Sequence, residues 1–170
     1  MEIKVTASQN RLGATTKRVL TEVGESLGLE EVVVASTIRT PDSQARAMLN
    51  NIENGRLIRY RWPGQQVTDL ARRLRGQRTP REEIVKAMVA EIVKLSKSGN
   101  RVSKHCVSEE EYDKCNVIDI SFRTMPSDKV ESFIRAMLAR EEVVKVIQPI
   151  TSKIVGYDKA EPALHFEINQ

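Results

Sequence analysis

The chain has 170 residues, 40% of them hydrophobic and 29% charged, which suits one compact domain with its own core and excludes a disordered or fibrous protein. No apolar run is long enough to span a bilayer, so membrane insertion is not expected, and two cysteines, Cys106 and Cys115, do not make a disulfide framework. A net charge of +4 favours a polyanionic partner without saying which.

The first residues, Met1 to Thr6, read as a strand over about 2–7 and lack the apolar core and cleavage site of a secretory signal, so synthesis in the cytoplasm is expected. A helix is expected from about Arg11 to Leu27. Glu31 to Ser36 is rich in β-branched residues and reads as a buried strand. Thr40-Pro41-Asp42 opens a helix that carries Ala45, Met48, Leu49 and Ile52 on one face and stops at Asn54-Gly55.

From Arg56 to Asn100 the sequence is helical and basic. Pro63-Gly64 punctuates it, and Val67, Leu70, Ala71 and Leu74 form a helical stripe that ends at Gly76. Thr79-Pro80-Arg81-Glu82 has the form of a capping box ahead of a helix with Ile84, Val85, Met88, Ile92 and Leu95 inward. Val117 to Phe122 reads as a strand, Ser127 as the cap of a helix over about 128–140, and 143–148, 152–157 and 163–168 as short strands. The elements add up to a single α+β domain, a small, mostly antiparallel sheet flanked by helices, and a monomer.

The chemistry rests on the only two histidines. In the strand around Leu164, Phe166 and Ile168, period-two alternation puts His165 and Glu167 on the opposite face. In the strand around Ile118 and Ile120, Asp119 likewise points away from the apolar face. His105 lies just upstream of that strand. Singly, each residue is more readily structural or solvated. Together, two imidazoles and a carboxylate suit zinc and leave a fourth position open, as in catalytic sites.

These residues resemble a known family. Ser103-Lys104-His105 followed by Asn116-Val117-Ile118-Asp119, the earlier Ser36-Thr37-Ile38-Arg39-Thr40 with Gln44, and the terminal Pro162-Ala163-Leu164-His165-Phe166-Glu167 look like the ordered blocks of the zinc D-alanyl-D-alanine peptidases. That group includes D-Ala-D-Ala carboxypeptidases and dipeptidases and phage L-alanyl-D-glutamate endolysins. The resemblance implies a hedgehog/D-Ala-D-Ala peptidase-like fold, a Zn2+ cofactor on His105, Asp119 and His165, and hydrolysis of peptidoglycan stem peptides at the cell wall. It further implies that Arg39 binds the substrate carbonyl, with Gln44 orienting substrate or buttressing Arg39 and Ser103 serving as a hydrogen-bonder.

Two departures from the pattern stand out. Asp119 comes fourteen positions after His105, more than the family commonly has, which makes Asp113 a competing ligand and the intervening acidic stretch an expected surface loop. The family's carboxylate base shortly before the last His falls on Pro162. Glu161 is therefore expected as the base, with Asp158 and Glu167 as rivals.

Other readings come from different classes. A structural zinc site of Cys106, Cys115, His105 and His165 is disfavoured because adjacent residues in an extended segment point to opposite faces. Arg56, Arg59, Arg61, Arg72, Arg73, Arg75, Arg78 and Arg81, with Tyr60 and Trp62 among them, suggest a phosphate-tracking surface, but no nucleic-acid motif appears. Solvated helix faces, or adsorption to an anionic cell-envelope polymer, account for them without a specific nucleic acid. A non-catalytic wall-binding module that keeps the peptidase fold is the alternative to the enzyme.

Overall fold

The structure is a computed structural model that describes residues 1–7, 9–56, 58, 60–149, 159–161 and 163–170. Its elements in chain order are β1 (Glu2–Val5), α1 (Ala14–Ser26), β2 (Glu31–Ser36), α2 (Pro41–Glu53), α3 (Trp62–Gly76), α4 (Arg81–Lys97), α5 (Glu109–Lys114), β3 (Cys115–Ile120), a 3-10 turn (Phe122–Thr124), α6 (Val130–Leu138), β4 (Val143–Pro149), β5 (Lys159–Glu161) and β6 (Leu164–Asn169). They fall into two compact units: Met1–Ile38 with Ser108–Gln170, and Arg39–Val107. The expected strand at 152–157 lies outside the described residues.

The first unit holds the sheet, in the order β1-β2-β3-β6-β4, with short β5 beyond β4. β1 runs parallel to β2 and β5 parallel to β4, whereas the β2–β3, β3–β6 and β6–β4 pairs are antiparallel. The sheet is thus mixed, not mostly antiparallel as expected. Part of the reason is visible in the sequence: the helix α1 joins β1 to β2, and a helical crossover delivers the next strand parallel to the first.

One sheet face presents Val32, Val34, Ile118, Ile120, Val146, Leu164, Phe166 and Ile168 to Val19, Leu20 and Val23 of α1 and to Phe133, Ile134 and Met137 of α6. Phe133 meets Phe166 edge to face, with ring centroids 6.0 Å apart at 81°. Burying one such large apolar side chain stabilises by roughly 1.5–3 kcal/mol. This layer fixes β3 and β6 and so determines which residues their other face presents.

Three expected details change in this unit. Phe122 leaves the strand for the 3-10 turn, and α6 starts after Lys129 with no side-chain cap, so Ser127 does not cap it. The stretch read as an acidic loop is the helix α5. Ser108 caps it: its Oγ accepts from the Glu111 N–H at 3.2 Å, and the Glu111 carboxylate accepts from the Ser108 N–H at 3.2 Å. Tyr112 anchors the helix, fully buried, with its hydroxyl donating to the Arg11 carbonyl at 3.0 Å.

The second unit is three helices around Ala45, Met48, Leu49, Val67, Ala71, Ile84, Val85, Met88, Ile92 and Leu95. Thr40 caps α2, its Oγ1 accepting from the Ser43 N–H at 3.2 Å, with Pro41 in the first turn as expected. Pro63-Gly64 lies inside the first turn of α3, where proline is tolerated. The box expected at Thr79 does not form. Pro80 is the N-cap of α4 without a side-chain bond, and Glu82 instead pairs with Arg46 through contacts of 3.0 and 2.7 Å. Among the described residues, no helix is long and apolar enough to cross a membrane.

Candidate metal centre

The sheet register places Asp119 of β3 directly opposite His165 of β6. The Asp119 Oδ1 lies 3.0 Å from the His165 Nδ1. β6 is an inner strand, with β4 on its other edge pairing Ile147 with His165, so the imidazole is held by neighbours on both sides. It is only 4% exposed. Alternation along β6 puts Glu167 on the same face, its Oε1 3.8 Å from the His165 Nε2 and 3.8 Å from the Lys145 Nζ. Carboxylates therefore flank both ring nitrogens. The face expected to be the more polar one is also largely covered, since Val117 and Glu167 are buried along with His165 while Asp119 is partly so.

Near the start of β3, Asn116 holds the strand in place. Its Oδ1 accepts from the Gly13 N–H at 2.6 Å and its Nδ2 donates to the Tyr112 carbonyl at 2.8 Å. One buried amide thus ties the start of α1, the end of α5 and β3 together. This residue carries no sequence signal beyond its place beside the Asp119 strand.

The competing ligand Asp113 is engaged elsewhere. It stands exposed on α5, where both carboxylate oxygens accept from Arg11 at 2.8 and 2.7 Å, while Glu109 takes a third contact at 2.7 Å. These carboxylates, through their hydrogen bonds, hold the Arg11 guanidinium above its usual pKa. Asp119 is the aspartate paired with a histidine.

In the helical unit, His105 sits in a turn. Its N–H donates to the Ser103 Oγ at 3.2 Å, and the Cys106 N–H donates to the Ser103 carbonyl at 3.2 Å. The His105 carbonyl accepts from the Arg39 N–H at 2.7 Å, and the side chain is buried. Arg39 Nη1 donates to the Oε1 of buried Gln44 at 3.3 Å. Ser103, His105, Arg39 and Gln44, picked out from separate blocks of sequence, form one hydrogen-bonded chain.

Neither cysteine fits a structural zinc site here. Cys115 faces Asn169 at the far end of β3, four residues from Asp119, which is about 13 Å along a strand. Burial pushes the Cys106 thiol above its usual pKa, against the pull of the Arg39 charge, which disfavours the thiolate a metal needs. Glu161 ends β5 opposite Pro149 of β4. Its side chain, with Asp158 and Pro162, lies outside the described residues.

Among the described residues, Asp119 and His165 of the sheet unit and His105 of the helical unit are of the donor types that could hold a metal ion, each offering one ligand atom. Two nitrogens and one carboxylate oxygen are the donor types of a catalytic zinc centre with a place left for water or substrate. Comparison with protein families, curated proteins and solved structures gave no match.

Proposed function

We propose that the chain is a zinc-dependent peptidase that hydrolyses an amide bond in peptidoglycan stem peptides, of the D-Ala-D-Ala carboxypeptidase or L-Ala-D-Glu endopeptidase type. The observation that carries this reading is the Asp119–His165 pair, in register on two strands with His165 buried and Asp119 partly so, and with Oδ1 and Nδ1 3.0 Å apart. Two ligands of one tetrahedral zinc at bond lengths of about 2.0–2.1 Å stand only slightly farther apart than this. His105 is the third ligand, and the sequence blocks around all three support the substrate class.

Each residue then has a task. His165 binds through Nδ1, and the Glu167 carboxylate, its Oε1 3.8 Å from Nε2 on the far side of the ring, orients it by charge. Ser103 shapes the turn that presents His105. Arg39, braced by Gln44, supplies fixed positive charge where the carbonyl oxygen becomes an oxyanion. Glu161 takes the proton from the attacking water and returns it to the leaving amine. Zinc at this site would polarise the scissile carbonyl and acidify the water.

The competing reading is a non-catalytic wall-binding module, favoured by Pro162 standing where the family places its base. Elemental analysis and zinc titration test the shared part: one zinc per chain is expected, and a chain that binds none removes both the metal and the peptidase. Catalysis itself separates the two readings.

A further inference from the structure

The arginines of the helical unit are not used by the proposed reaction, apart from Arg39. That unit carries fifteen Lys and Arg against six Asp and Glu, a net +9, whereas the sheet unit carries twelve against seventeen, a net −5. Between Arg56 and Arg81 the sequence has eight arginines, no lysine and a single acidic residue, Asp69. Arg72 pairs with Asp69 at 3.1 Å and Arg81 with Glu53 at 3.3 Å. Among the described residues, exposed Arg61, Arg73, Arg75 and Arg78 have no ion-pair partner. Helical spacing puts Trp62, Gln66, Asp69 and Arg73 along the outer stripe of α3, and Trp62, the only tryptophan of the chain, is 59% exposed.

The backbone gives a second, independent observation. Helices α1, α2, α3 and α4 all end in the same double-bonded turn. In three of them the residue just past the cap is a glycine with positive φ: Gly28 at 64°, Gly55 at 64° and Gly99 at 75°. In α3 that residue is Arg78, at φ 58°. Its N–H donates to the Arg75 carbonyl at 2.9 Å, and the Thr79 N–H donates to the Leu74 carbonyl at 3.1 Å. Glycine is favoured there because a Cβ strains the left-handed conformation. Cations near a helix C-terminus are favourable, which accounts for positive charge at Arg73 and Arg75. That effect does not explain an arginine in the glycine position, nor Arg61 at the opposite, positive end of the dipole.

We infer that the exposed C-terminal end of α3 with Arg73, Arg75 and Arg78, together with Arg61 at the start of the same helix, binds a phosphodiester polymer that lacks bases, of the poly(glycerol phosphate) type found in cell envelopes. Guanidinium forks match phosphate oxygens in pairs, which lysine ammonium groups do not. Trp62 is the one large aromatic exposed among the described residues, and single-stranded nucleic acids are held by a series of stacked aromatics, so the bases of a nucleic acid would find little to engage. The choice of a wall polymer rests on the proposed peptidase; the phosphate site rests on the arginines alone.

The test follows Trp62 fluorescence while the full chain is titrated with poly(glycerol phosphate), with polyglutamate of equal charge and with oligothymidylate. The phosphate polymer is expected to bind at least about tenfold tighter than polyglutamate and tighter than oligothymidylate, with affinity falling steeply as salt rises. The triple reversal R73E/R75E/R78E should weaken binding at least tenfold, and R73K/R75K/R78K severalfold. Arg78→Gly, which relieves the left-handed strain and cannot threaten the fold, should raise Tm and still weaken binding. Equal affinity for the two acyclic polyanions, or an unchanged affinity in both the reversal and the Arg78→Gly variants, overturns the phosphate site. Tighter binding to oligothymidylate overturns the wall polymer as its partner. Because these readouts need no catalysis, cleavage of a short soluble stem peptide reports separately on the peptidase.

Discussion

Asp119 and His165 face each other across β3 and β6, register partners whose Oδ1 and Nδ1 lie 3.0 Å apart. The pair exists because the opposite faces of the same two strands are anchored by Ile118, Ile120, Leu164 and Phe166 against α1 and α6. A one-residue slip of β6 would exchange these faces, turning His165 into the core and Phe166 out of it.

Metal binding should follow this pair and ignore Asp113. His165→Ala or Asp119→Ala is expected to lower zinc affinity by at least about a hundredfold, the upper end of what losing even an orienting partner of a ligand costs. Asp113→Ala should leave zinc stoichiometry unchanged, because that carboxylate is committed to Arg11 on the surface. Zinc titration of the three variants reads this directly, and loss of zinc from Asp113→Ala would reverse the ligand assignment.

The base is separated from the orienting carboxylate by paired amide substitutions. Glu161→Gln is expected to keep zinc and fold but slow stem-peptide cleavage at least about a hundredfold, the lower end of general-base contributions. Glu167→Gln should cost less, since Glu167 has no part in moving the proton of the attacking water. A larger loss from Glu167→Gln than from Glu161→Gln moves the base onto β6.

Alkaline stability should depend on Tyr112. Burial raises its phenol above the ordinary value near 10, so the folded chain holds this proton more tightly than the unfolded chain. The sign follows: its contribution is complete below the unfolded pKa and is lost as pH rises beyond about 10. Tyr112→Phe removes the titrating group and should flatten the fall in Tm above pH 10, at a cost near neutrality of about 1 kcal/mol for the lost hydrogen bond to Arg11. An unchanged alkaline slope in this variant would contradict the assignment.

The helix α5 predicts a capping effect in a stretch that alternation and composition presented as a loop. Ser108→Ala should lower stability by about 1 kcal/mol in urea unfolding, the usual cost of removing a serine cap. No effect would mean that the box does not hold α5.

Long, strongly patterned elements were legible in the sequence: α2 opening at Thr40-Pro41, the inward stripe of α4, and the two strands that carry Asp119 and His165. Residues at ends and turns were less so. Thr79-x-x-Glu82 and Ser108-x-x-Glu111 have the same form, yet only the second caps a helix. At the first, Pro80 takes the cap position and Arg46 draws Glu82 away, a long-range contact that local sequence does not encode. The parallel β1–β2 pair and the buried polar face of β6 likewise depend on how elements meet, not on their own periodicity.

The most direct test of the peptidase is digestion of purified muropeptides by the metal-free chain with and without added zinc, resolved by mass spectrometry. Zinc is expected to restore cleavage of one amide linkage in the stem peptide, yielding products that together gain one water, and a chelator to abolish it. A chain that takes up one zinc yet leaves every muropeptide linkage intact would contradict the enzyme and leave a wall-binding module.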